Sequence, residues 1–161
     1  MRVLVIRHST AVDPYAAATD ETRWLTEAGR RRIRRIGKLL LTEAPPTRIF
    51  VSPLVRAVQT AEALAAEVGL DGPIEATPVL SPDHGTTAQV SALLDGVGDD
   101  ETVALVSHAP KVRVLAGHLA GEKSMPGFRT GSVCAIRDGA FEFWVDPEGP
   151  HLIRDLTAIP L

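Results

Sequence analysis

Short runs of Val, Leu and Ile alternate along this chain with longer segments in which apolar residues recur every three or four positions. Runs of the first kind are typical of buried strands, and the longer segments are typical of helices with one apolar face. Strands are predicted at 3–6, 48–51, 74–80 and 102–106. Because strands and helices alternate, the pattern predicts α/β architecture with a mostly parallel sheet.

Four helices are predicted, one after each of these strands. Thr26 is in position to cap the first helix, and Ser52, which precedes a proline, is in position to cap the second. Hydroxyl side chains are favoured at such caps because they accept hydrogen bonds from free backbone N–H groups, and proline is tolerated at the first helical position. The predicted helical ranges are 26–41, 52–68, 86–94 and 110–120.

The C-terminal part of the chain has a different pattern. Asp138-Gly139 is a turn-forming pair, and it lies between the apolar segments 132–137 and 141–145, so an antiparallel hairpin is predicted there. The whole chain is therefore predicted to form a three-layer α/β/α fold, with a mostly parallel central sheet and an antiparallel C-terminal hairpin. At 161 residues, we expect 1–161 to form a single domain.

Two of the predicted strands are followed, within two residues, by a histidine. Arg7 and His8 follow the first apolar run, and His108 follows the strand at 102–106. In α/β sheets, ligands bind beyond the carboxyl ends of the strands. Each of these residues taken singly has an ordinary structural explanation, but together at one sheet edge they indicate an anion site that contains a nucleophile.

The chemistry that fits these residues is phosphoryl transfer. A neutral imidazole nitrogen of His8 can attack phosphorus and form a covalent phosphohistidine. Arg7 and Arg56 would clamp the phosphoryl oxygens with planar guanidinium groups, and Arg56 lies in the first turn of a predicted helix, where anions are favoured. His108 would donate a further hydrogen bond to the developing negative charge.

Three motifs occur in a recognisable order. They are Ile6-Arg7-His8, the Ser-Pro-x-x-Arg-x-x-x-Thr segment at 52–60, and Val106-Ser107-His108; a Leu-Thr-x-x-Gly segment at 25–29 opens the first helix. With these motifs the chain resembles the histidine phosphatase superfamily, which is phosphoglycerate mutase-like, and most of all its small SixA-type phosphohistidine phosphatases. The resemblance covers nearly the whole chain and implies a hydrolase that works through a phospho-His8 intermediate.

Ser9 departs from the pattern of this family, which usually has glycine after the nucleophilic histidine. Glycine allows backbone angles and close approaches that serine does not. Two outcomes are open at this point: the Ser9 hydroxyl contributes to phosphate binding, or the side chain narrows the pocket.

A general acid is harder to find. Many larger relatives carry a Glu or Asp that protonates the leaving oxygen, and here Asp83 and His84 are the candidates, although their Ser-Pro-Asp-His-Gly surroundings are equally typical of a plain turn. An alkoxide leaving group has a conjugate acid with a pKa of about 15.7, whereas that of imidazole is about 6.5. A phosphoramidate therefore needs less help from an acid, which favours a protein phosphohistidine as substrate.

Two alternatives to a protein phosphohistidine phosphatase stay open. The chain could be a small-molecule phosphomonoesterase acting on a sugar or nucleotide phosphate, or a catalytically silent module that binds phosphate ion or a phosphorylated protein. No cofactor is expected, and no metal site, because paired-histidine and clustered-cysteine motifs are missing.

Composition and charge argue against nucleic acid and a membrane as partners, and bear on the location of the protein. The net charge is −3 and aromatic residues make up 4%, which argues against nucleic acid as a partner. The apolar runs are too short to span a membrane. Cys134 is the single cysteine, so a cytoplasmic location is predicted.

Overall fold

The protein was analysed as a computed structural model that describes residues 1–160. One sheet of seven strands has the order β3-β2-β4-β1-β5-β6-β7. The strands are β1 (Arg2–Arg7), β2 (Arg48–Val51), β3 (Ile74–Ala76), β4 (Thr102–Ser107), β5 (Val133–Arg137), β6 (Ala140–Asp146) and β7 (His151–Ile153). The helices are α1 (Glu27–Glu43), α2 (Val55–Val68), α3 (Thr87–Leu94) and α4 (Lys111–Ala120).

The sheet is parallel on one side of β1 and antiparallel on the other. Strand β1 pairs in parallel with β4, which continues in parallel to β2 and β3. On its other edge β1 pairs antiparallel with β5, followed by β6 and β7. Arg7 is aligned with Ser107 at the carboxyl ends of β1 and β4, so the residues that follow each strand emerge side by side.

Alternate residues of β1 face two separate apolar cores. Leu4 and Ile6 pack in a cluster with buried residues of α1 and α2. Val3 and Val5 pack in a second cluster with buried residues of α3 and α4. The sheet therefore lies between two helical layers, and the predicted three-layer fold with a mixed sheet is confirmed.

The third strand is shorter than predicted. It ends at Ala76, and the segment 78–80 forms a single turn of 3-10 helix with Pro78 at its start. Proline has no backbone N–H for a sheet ladder and its fixed backbone angle suits a helical first turn. The apolar run at 74–80 was therefore two elements.

The second helix also begins later than predicted. Its first residue is Val55 and its N-cap is Leu54, so the prediction of Ser52 as N-cap was wrong. The backbone N–H of Ser52 instead donates to the carbonyl of Val106 at 3.0 Å, which continues the pairing of β2 with β4. Thr26, in contrast, caps α1 as predicted by accepting from the N–H of Gly29 at 2.9 Å.

None of the helices within residues 1–160 is long and apolar enough to cross a membrane. Over the same range, His, Cys, Asp and Glu side chains do not come together in groups of three or more that could hold a metal ion.

Candidate active site

His8 lies directly after β1 and is 7% exposed. Its Nδ1 is 2.7 Å from the backbone carbonyl oxygen of Ser9. Because a carbonyl can only accept a hydrogen bond, Nδ1 carries the proton and Nε2 carries the lone pair. Burial, helped by the charges of Arg56 and Arg7, lowers the pKa of His8 to about 4. The ring is therefore neutral at pH 7, with a fixed tautomer and a nucleophilic Nε2.

Arg7 and Arg56 place two like charges beside this ring. Arg7 donates from Nη1 to the carbonyl of Phe128 at 2.8 Å. Arg56 is 5% exposed and donates to the backbone carbonyl of Asp20 at 2.8 Å and to its carboxylate at 3.2 Å. Burial, and after it the charge of Arg56, lowers the pKa of Arg7. Two guanidinium groups in such proximity favour an anion between them.

His108 follows β4 and faces His8. The centroids of the two rings are 5.1 Å apart, with an angle of 55° between the ring planes. Burial, followed by the influence of His8 and Arg56, lowers the pKa of His108 to about 3, so this ring is also neutral at pH 7. Its Nε2 lies 2.8 Å from the hydroxyl oxygen of Ser52.

Three buried nitrogen atoms of these residues have no hydrogen-bond partner within residues 1–160. They are Nε of Arg7, Nε of Arg56 and Nδ1 of His108. Burying a polar group without a partner is costly, so such atoms mark a place where a ligand satisfies them. Several N–H donors around a nucleophilic nitrogen suit a phosphoryl group, and the structure brings all four predicted residues together.

Asp20 and Arg23 are two residues at the site that sequence reasoning missed. The Asp20 carboxylate lies between two arginines, 3.2 Å from Arg56 and 3.0 Å from Arg23. The charge of Arg23 contributes to the lowered pKa of His8. The pKa of Asp20 is lowered, first of all by its hydrogen bond from Arg23, so this carboxyl is ionised and cannot serve as an acid at pH 7. Asp20 begins a single turn of 3-10 helix, Asp20–Thr22, and Arg23 follows this turn, in a segment whose sequence has no periodic apolar pattern.

Ser9 is fully buried, and its side chain is engaged away from the pocket. Its hydroxyl donates to the carbonyl of Gly29 at 2.7 Å, and its N–H donates to Thr60 at 3.0 Å. The structure therefore does not bring the Ser9 hydroxyl to the phosphoryl site. Ser9 is not among the residues with positive φ, so the serine occupies this position without backbone strain.

The same contacts account for two motif residues. The Thr60 hydroxyl accepts from the N–H of Ser9 and donates to the carbonyl of Arg56, and so it joins α2 to the end of β1. A Cβ added to Gly29 would lie 2.2 Å from the carbonyl oxygen of Thr10. Glycine at the start of α1 therefore lets the helix approach the segment that follows His8.

Asp83 and His84 are exposed, and neither side chain makes a hydrogen bond to the four site residues. Lys111 holds this loop by donating to the carbonyls of Val79, Ser81 and His84. The structure therefore does not bring Asp83 or His84 into the cluster, and their role as an acid stays a prediction.

The buried, neutral state of His8 gives a prediction for its titration. In the ligand-free protein we expect the His8 ring to titrate near pH 4, well below the ordinary 6.5, because burial and three nearby guanidinium groups oppose the imidazolium. Since the lowered pKa keeps the deprotonated form down to lower pH, the nucleophile stays available throughout the neutral range. An NMR titration, with His8 assigned from a His8→Gln variant, measures this midpoint. A midpoint near 6.5 would contradict it.

Comparisons with known proteins identify the relatives of this chain. The model of the histidine phosphatase superfamily (branch 1) matches residues 3–82. The phosphohistidine phosphatase SixA of Escherichia coli (strain K12) is 30% identical over 155 residues, which is 91% of this chain and 94% of that protein. A solved structure of the protein histidine phosphatase SixA complexed with tungstate superposes with a TM-score of 0.82 at 30% identity, over 92% of this chain and 99% of that one.

A more distant structure shares the fold alone. The phosphoglycerate mutase from Bacillus anthracis has a TM-score of 0.67 at 14% identity, and the match covers 98% of this chain and 94% of that one. The α/β/α sandwich, the histidine after each of two paired parallel strands and the 30% identity to SixA together define a phosphatase of this fold. The chain belongs to the histidine phosphatase superfamily. The predicted family and the predicted phosphatase class are confirmed.

Proposed function

We propose that the protein is a metal-independent phosphatase that removes phosphoryl groups from phosphohistidine on a protein, through a phospho-His8 intermediate. The observation that carries the proposal is the state of His8. Its neutral ring is held by the Ser9 carbonyl at 2.7 Å, so the Nε2 lone pair is the reactive one. The similarity to SixA, a phosphohistidine phosphatase by name, supports the substrate class.

The reaction proceeds in two displacements. In the first, Nε2 of His8 attacks phosphorus while the bond from phosphorus to the substrate imidazole breaks, and the departing imidazole takes a proton from solvent. In the second, water attacks the phosphoryl group on His8, inorganic phosphate leaves, and the neutral ring is restored. Arg7, Arg56 and His108 hold the phosphoryl oxygens during both steps.

An imidazole leaving group is consistent with the protonation state of the carboxyl group at the site. Within residues 1–160, Asp20 is the carboxyl in contact with one of the four residues, Arg56, and its lowered pKa keeps it ionised. An imidazole leaving group tolerates this, since its conjugate acid has a pKa of about 6.5. The proposed partner is therefore a phosphorylated protein.

A cytoplasmic location is part of the same proposal, and it rests on Cys134, the single cysteine, which is buried and free.

The test compares two substrates in the presence of EDTA. One substrate is a histidine-containing protein that has been phosphorylated with phosphoramidate, and the other is p-nitrophenyl phosphate. Each is supplied to the wild-type protein, and phosphate release is measured. We expect EDTA-resistant turnover with a clear preference for phosphohistidine. Preference for the ester would overturn the substrate in favour of a small-molecule phosphomonoesterase. Binding of phosphate without turnover of either substrate would overturn the proposal that the protein is an enzyme, and would favour a catalytically silent binding module.

A further inference from the structure

Ser52 is a buried hydroxyl residue beside the candidate active site. It follows β2, its backbone is joined to β4 by the bond to Val106, and its side chain is fully buried. Its Oγ lies 2.8 Å from Nε2 of His108 and 3.3 Å from the backbone nitrogen of Leu54. A cap role for Ser52 does not explain the contact with His108.

The protons at this contact can be assigned from the partners. The backbone N–H of Leu54 can only donate, so Ser52 Oγ accepts there. The hydroxyl has one proton of its own, and its other hydrogen-bond partner in the described chain is Nε2 of His108. If Nε2 were protonated, the buried hydroxyl proton of Ser52 would have no acceptor, which is costly. Donation from Ser52 to a bare Nε2 satisfies both groups.

The other ring nitrogen then takes the remaining proton. A neutral imidazole carries one proton, so a bare Nε2 leaves a proton on Nδ1. Nδ1 of His108 is buried and lacks a partner within residues 1–160, in common with Nε of Arg7 and Nε of Arg56. A protonated Nδ1 is a third N–H donor in a pocket that receives an anion, whereas a bare Nδ1 would present a lone pair to that anion.

We propose that Ser52 is a positioning residue that fixes the tautomer of His108: its hydroxyl donates to Nε2, so that Nδ1–H is offered to a phosphoryl oxygen. This inference rests on the proposed function, because it assigns the phosphoryl group as the acceptor. The two histidines then carry the same tautomer for opposite purposes. His8, held by a carbonyl, exposes a lone pair; His108, held by a hydroxyl, exposes an N–H.

The first experiment reads the tautomer directly. Ring nitrogen shifts of His108 are recorded by ¹⁵N NMR in the wild-type protein, in the Ser52→Ala variant and in a Ser107→Ala control. Ser107 precedes His108 and its buried hydroxyl donates to the carbonyl of Leu80 at 2.6 Å, so the control removes a neighbouring hydroxyl without touching the ring. We expect Nδ1–H in the wild type and in the control, and a mixture of tautomers in Ser52→Ala.

The second readout is turnover and anion binding. Loss of one oriented donor predicts a fall in turnover on the order of 10²-fold in Ser52→Ala, with weaker binding of inorganic phosphate, and partial recovery in Ser52→Thr, which restores a hydroxyl. Nε2–H in the wild-type ring would overturn the inference even if Ser52→Ala fails to fold. An unchanged tautomer in a folded Ser52→Ala would overturn it as well. The tautomer is measured without substrate, so absent phosphohistidine turnover would count against the proposed function and not against Ser52.

Discussion

Replacing His8 with alanine should lower phosphohistidine turnover by on the order of 10⁴-fold or more, because the variant lacks the atom that forms the covalent bond. The neighbouring groups have no nucleophile to take its place. The guanidinium groups are cations, the lone pair of His108 at Nε2 lies against Ser52 at 2.8 Å, and the hydroxyl of Ser9 is bonded to Gly29.

The same variant should still bind the anion. Arg7, Arg56 and His108 keep their unpartnered nitrogen atoms, so inorganic phosphate or tungstate should bind to His8→Ala. Turnover is measured by phosphate release and binding by calorimetry. Rapid quenching of the wild type should trap a phosphoryl group on the peptide that contains His8, and no such peptide should form in the variant.

A control and a contrary result define this test. His151→Ala removes an exposed imidazole from β7 and should leave turnover unchanged. If His8→Ala retained turnover, or if the trapped phosphoryl group lay on another residue, the proposed nucleophile would be wrong even where the substrate is right.

The Arg56→Lys variant should lose on the order of 10² to 10³-fold in kcat/KM while its fold is kept. Lysine keeps the positive charge but has a single ammonium group in place of a planar fork. Arg56 uses Nη1 and Nη2 for Asp20 and leaves Nε unpartnered, so one side chain serves the loop and the phosphoryl group at once. An ammonium cannot satisfy both sets of contacts with that geometry.

The matched control for this variant is Arg35→Lys, on the exposed face of α1. Both variants conserve charge, so any difference between them reports on the shape of the guanidinium. Steady-state kinetics and phosphate affinity are measured for each. Full activity in Arg56→Lys would show that charge alone is required at this position, which contradicts the clamp.

The sequence was sufficient for the parts of the site that are attached to regular elements. Arg7, His8 and His108 could be placed because they end apolar strands, and the carboxyl ends of parallel strands meet at one sheet edge. Arg56 could be placed because its helix follows such a strand. In these cases the local pattern of the chain determines the position of the side chain.

Ser52 shows where local reasoning stops. A serine before a proline is a typical helix cap, but the same hydroxyl chemistry also suits an imidazole partner. The choice between these roles depends on β2 lying next to β4, which brings His108 within 2.8 Å. Asp20 could not be found for a related reason, since its contact with Arg56 joins a short 3-10 turn to a residue of α2 that is 36 positions away in the chain.

The contact between Asp20 and Arg56 also has a consequence for local unfolding. His8 and His108 are joined to β1 and β4 in the centre of the sheet, where segments open only with the whole molecule. Asp20 belongs to a surface loop that includes the fully exposed Tyr15, and such loops open at much lower free energy. The amide hydrogens at the carboxyl ends of β1 and β4 should therefore exchange among the last in the protein, and those of the segment around Asp20, which holds Arg56, among the first.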